Sequence, residues 1–115
     1  MAKLKTKAIP KKQDETTAAI YAAVKAAFPD TSNKPEDVVY RVNIVSIRVL
    51  IVSLKFEGKS ESQREAIVKR ALKLTLPKEI WREISLLIML TPEEFQDPED
   101  DLMLLEFLTP DGTYL

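Results

Sequence analysis

Asp30 follows Pro29, and Glu57 is separated from Lys59 by a single glycine. Two carboxylates and a lysine in a PD…ExK order form the skeleton of a metal-dependent nuclease, in which the carboxylates hold magnesium and the lysine positions or activates water. Such a site needs the three residues to converge from neighbouring strand ends. Asp30 instead falls in a loop rich in Ser, Asn and Pro, and Lys59 has a sufficient role in a Gly58-Lys59-Ser60 turn. The chain contains no histidine and no cysteine. A Ser–His–Asp or Cys–His nucleophile therefore cannot be built, and imidazole or thiolate metal sites are excluded. The paired carboxylates Glu93–Glu94 and Asp100–Asp101 read as a helix start and an acidic loop. No catalytic residue, cofactor or metal is expected, and the chain is not expected to be an enzyme.

The elements that would position these residues fit one domain, since 115 residues bury a single modest core. Residues 1–14 carry five lysines and read as a flexible basic arm, and residues 96–115 form an acidic extension. Between them, residues 15–28 repeat Ile20, Val24, Ala27 and Phe28 at helical spacing, and Pro29 closes that helix. Residues 38–56 are dense in Val and Ile with period-two alternation through Val38, Tyr40, Val42 and Ile44. Nineteen residues exceed a usual strand, so two strands are expected, broken near Ser46–Ile47–Arg48.

A second helix starts after Gly58, with Ser60 as cap and Gln63 as the other half of a capping box. A short helix after Pro77 contains Trp81, and residues 84–90, ISLLIML, read as a buried strand. Thr91 to Glu94 repeat the capping pattern, and residues 102–108, LMLLEFL, read as an edge strand or a further helical turn. The expected fold is a small α+β two-layer sandwich in α-β-β-α-α-β order, with helices on one face of a three-stranded sheet. Its core is expected to include Val42, Ile44, Leu50, Val52, Phe56, Ile67, Ala71, Leu72, Trp81, Leu86 and Ile88.

Net charge is −1, so no global field draws the chain to nucleic acid or an anionic membrane. The apolar run 84–90 is far short of a bilayer span, and the lysine-rich start lacks the apolar core of a secretory signal. A cytoplasmic protein with no membrane association is the expectation.

The local text of residues 48–64, RVLIVSLKFEGKSESQR, with Val68, Ala71 and Leu72 and the phrase ISLLIMLTPEEF at 84–95, resembles the BolA-like family. Shared features are a strand ending in a VS pair, a phenylalanine, a GKS turn, a QR pair and a closing TPEE with an aromatic residue. The family pattern has a histidine directly after the QR pair, where Glu65 stands, and another before the last strand, where Arg82 and Glu83 stand. The resemblance implies a partner-binding module that works with a monothiol glutaredoxin and shares a bridged iron–sulfur cluster through histidine. Carboxylates are poor substitutes at such a cluster, so the cluster role does not carry over. What remains is a regulatory or protein-interaction module whose partner, by the resemblance, is glutaredoxin-like. Its surface would lie at the strand-to-helix junction: Glu57, Lys59, Ser60, Arg64 and Glu65. The family fold is similar to a class II KH domain, which makes nucleic-acid binding the alternative, and a nuclease the more distant one. A KH module clamps phosphates with a GxxG loop, however, and the chain has only Gly58 and Gly112.

Overall fold

The computed structural model describes residues 11–96 together with Leu104, Phe107 and Leu108. Helix α1 (Glu15–Ala27) opens on a capping box between Asp14 and Thr17, and the Phe28 amide closes it on the Val24 carbonyl. A hairpin follows, β1 (Val39–Asn43) and β2 (Ser46–Val52), and then a 3-10 turn at Leu54–Phe56. Helix α2 (Glu61–Leu72) starts on the Ser60–Gln63 box expected from the text. After it come α3 (Lys78–Trp81), β3 (Ile84–Leu90) and α4 (Pro92–Phe95), the last capped by Thr91 and Glu94.

The sheet order is β1-β2-β3, with β1 antiparallel and β3 parallel to the central β2. A parallel partner requires a crossover, and α2 with α3 supplies it. Central position explains why β2 is apolar on both sides. Ile47, Val49 and Ile51 face α1 and α2, where Ile20, Val24, Phe28, Phe56, Val68 and Leu72 complete the larger core. Leu50 points to the other face with Tyr40 and Ile88. The α+β sandwich is as expected.

The second face is also covered. Leu104 and Phe107 are fully buried against Tyr40, Leu50 and Ile88, and the Tyr40 hydroxyl donates to the Phe107 carbonyl at 2.9 Å. The described residues of the LMLLEFL run, Leu104, Phe107 and Leu108, are helical. Residues 1–10 of the basic arm and most of 97–115 lie outside the described residues. Of the rest of the arm, Lys12 pairs with Arg41 and the Gln13 amide donates to the Val39 carbonyl.

Two expectations along the hairpin need correction. The strand breaks at Ile44 and Val45, ahead of Ser46, because the Asn43 side chain accepts the Val45 amide and turns the chain with neither Gly nor Pro. Ile44 is consequently at the hairpin tip, 86% exposed, and is not a core residue. The other ten expected core residues belong to the two apolar clusters, buried or half-buried. Ile44→Ser is expected to change unfolding free energy by less than about 0.5 kcal/mol; a loss above about 1 kcal/mol in urea titrations would mean the tip is packed.

Candidate functional site

The junction from β2 to α2 is built around Asp30. One of its carboxylate oxygens accepts the Ser53 hydroxyl at 2.9 Å and the other accepts the Leu54 amide at 2.8 Å. Desolvation pushes this carboxyl up, but the Leu54 amide, the Ser53 hydroxyl and Lys55 outweigh it and hold the group below its usual range. Asp30 thus ties the loop after α1 to the 3-10 turn. Phe56 is buried beneath that turn against Phe28, with ring centroids 5.4 Å apart. Gly58 has φ +72°, in the left-handed region where a side chain is strained. The chain then enters α2 through Ser60, whose amide donates to Gln63 at 2.8 Å while its hydroxyl accepts the Gln63 amide at 3.2 Å.

Arg64 has the densest set of bonds at this junction. Its guanidinium donates to the carbonyls of Lys59 at 3.0 Å and Met89 at 2.9 Å, and to both oxygens of Glu94 at 2.7 and 3.1 Å. It also lies over the Phe56 ring, 5.8 Å from the centroid. Hydrogen bonding from Arg64, then the Thr91 amide, holds the Glu94 carboxyl low against the opposing effect of burial. Glu94 in return raises the Arg64 pKa. One side chain joins the start of α2, the end of β3 and α4.

Of the five residues expected at a partner surface, Arg64 is therefore directed inward, and Glu57, Lys59, Ser60 and Glu65 are exposed. Ser60 is occupied as a cap. Glu65 pairs with Lys69 one turn along α2 at 3.2 Å. The PD…ExK residues have separate duties: Asp30 caps the turn, and Glu57 and Lys59 project into solvent. Among the described residues, no group of three His, Cys, Asp or Glu side chains could hold a metal.

A second centre escaped the sequence, because its partners are far apart in the chain. Arg41 on β1 pairs with Asp14, the cap of α1, and with Glu83 at 2.8 Å, and donates to the carbonyls of Asn43 and Ile44. Asp14 and then Glu83 raise its pKa. Only the Asp14 cap left a trace in the text, as a Thr three residues later. Glu83 is one of the residues standing where the family pattern has its second histidine, and here it pairs with a half-buried arginine. Neither it nor Glu65 fits an iron–sulfur cluster, since each is a hard carboxylate already held in an ion pair.

An antiparallel hairpin, a two-helix crossover and a parallel third strand define the class: a small α+β sandwich with a mixed sheet. Among solved structures the chain is similar to the solution structure of the BolA1 protein from Mus musculus, with a TM-score of 0.51 and 23% identity over 84% of this chain and 81% of that one. The fold is BolA-like. No family model and no curated protein matches the sequence. No helix among the described residues is long and apolar enough to cross a membrane.

Proposed function

We propose that the chain is a non-catalytic protein-interaction module that uses a BolA-like scaffold without its histidine chemistry. The carrying observation is the junction at residues 57–65, where exposed charges stand on a backbone fixed by Asp30, Gly58, the Ser60 box and Arg64. Groups held this way lose little ordering entropy on binding, which suits specific recognition. Glu57, Lys59 and Glu65 are the contacts such a partner would meet, and a monothiol glutaredoxin is the first partner to try.

Anaerobic reconstitution with that glutaredoxin should leave its absorbance spectrum as it is without the chain. A mixed cluster lost on Glu65→Ala would overturn the absence of cluster chemistry. With a captured partner, Lys59→Glu should weaken binding about fivefold at unchanged melting temperature, the effect of one rim charge. Equal binding by the variant would move the surface elsewhere.

A further inference from the structure

At the opposite end of α2 lies a groove of about 500 Å³, lined by Lys69, Lys73, Leu76, Pro77, Lys78 and Trp81. Between Glu65 and Glu79 every charged residue is positive, namely Lys69, Arg70, Lys73 and Lys78. The helix dipole accounts for cations in the last turn of α2. It does not account for Lys78, which opens α3 at the wrong end for that effect. Lys69 shares its charge with Glu65, but no ion pair among the described residues includes Lys73 or Lys78. The floor is apolar: Leu76 is buried, and Trp81 is half-buried and lines the groove. Leu74, on the connection between the same two helices, is 90% exposed.

We infer that this groove docks a short acidic segment of a partner protein, with one aromatic or aliphatic side chain against Trp81 and Pro77 and flanking carboxylates on Lys73, Lys78 and Lys69. The inference rests on the interaction-module reading and names a second surface for it. Charge complementarity selects the occupant, since a neutral apolar ligand would leave three ammonium groups unused and a purely ionic one would leave the indole unused. The ring of cations around an apolar floor also sets the salt response. Attraction between exposed charges weakens as the Debye length falls, while contact with the indole persists.

Trp81 is the chain's only tryptophan, so its emission reports on the groove directly. The probe is a synthetic peptide with a central Phe between two runs of Asp and Glu, titrated into the full chain at low salt. Saturable change in Trp81 emission is expected, weakened about tenfold in roughly half-molar salt by screening. The same peptide with Ser for Phe should bind at least about tenfold more weakly, having lost the apolar anchor. The double variant Lys73→Gln, Lys78→Gln removes two exposed charges without placing an anion at the C-terminus of α2, and should nearly keep the melting temperature while losing binding. Three results would each overturn the inference: no emission change, equal binding by the double variant, or a response to a single-stranded oligonucleotide with none to the peptide. Lys59 is at the other end of α2, so failure here leaves the Lys59→Glu result standing, and failure there leaves this one standing.

Discussion

Phe107→Ala is expected to cost about 3 to 5 kcal/mol, the range for an aromatic side chain removed from a closed core. A domain of this size has a total unfolding free energy of only about 5 to 15 kcal/mol, so the melting temperature should fall by more than about 10 °C. Phe107 is fully buried, its ring centroid lies 4.9 Å from that of Tyr40, and its carbonyl takes the Tyr40 hydroxyl. The Lys11 ammonium lies 5.6 Å from the Tyr40 centroid and 5.7 Å from that of Phe107, so the start of the described chain meets its last elements over one pair of rings. Phe107→Leu refills part of the volume and should recover about half of the loss. Leu74→Ala, at a 90% exposed position, is the control and should be nearly neutral. If Phe107→Ala unfolds in urea within about 1 kcal/mol of the parent, Tyr40, Leu50 and Ile88 do not depend on that cover.

The second layer shows what the text could and could not reveal. Strands, helices and two capping boxes were legible because each depends on residues within a few positions: Ser60 with Gln63, Thr91 with Glu94, and the alternation through β2. The residues 102–108 were ambiguous between strand and helix because an apolar run interrupted only by Glu106 has no clear period to choose by. The hairpin turn was hidden for a similar reason, since Asn43 turns the chain through its side chain without a glycine. Arg41 and Arg64 were legible as charges but not as structural centres. Their carboxylate partners are 27, 42 and 30 residues away, and only the folded sheet brings them together. That also explains the candidate site, where the text marked a strand-to-helix junction but could not separate the inward arginine from its outward neighbours.

That separation is testable at Arg64. Arg64→Ala should destabilise the fold by about 2 to 3 kcal/mol, because the Lys59 and Met89 carbonyls and the Glu94 carboxylate all lose a charged donor. Arg64→Lys should lose roughly half as much, since an ammonium cannot span both Glu94 oxygens and two carbonyls. The pH dependence distinguishes the ionic part. Glu94 has a folded pKa below its ordinary value of 4.5, chiefly through the Arg64 hydrogen bonds. A depressed carboxyl contributes its stability in full above the unfolded pKa, and that contribution disappears as pH falls through the folded pKa. The stability gap between parent and Arg64→Ala should therefore be constant from neutral pH down to about 5 and shrink below about 4.5. Glu94 is 45% exposed, so solvent screening limits the shrinking part to about 1 kcal/mol. The remainder, from the two carbonyls, should not titrate. A gap unchanged to pH ~3 would show that Glu94 adds nothing and that the carbonyl bonds alone fix α2 to β3. Either way Arg64 is unsuitable for mapping a partner surface, because its removal disturbs the junction that presents Glu57, Lys59 and Glu65. Those three exposed residues can be reversed in charge without breaking any contact to the sheet, and a loss of partner binding there can be assigned to the surface itself.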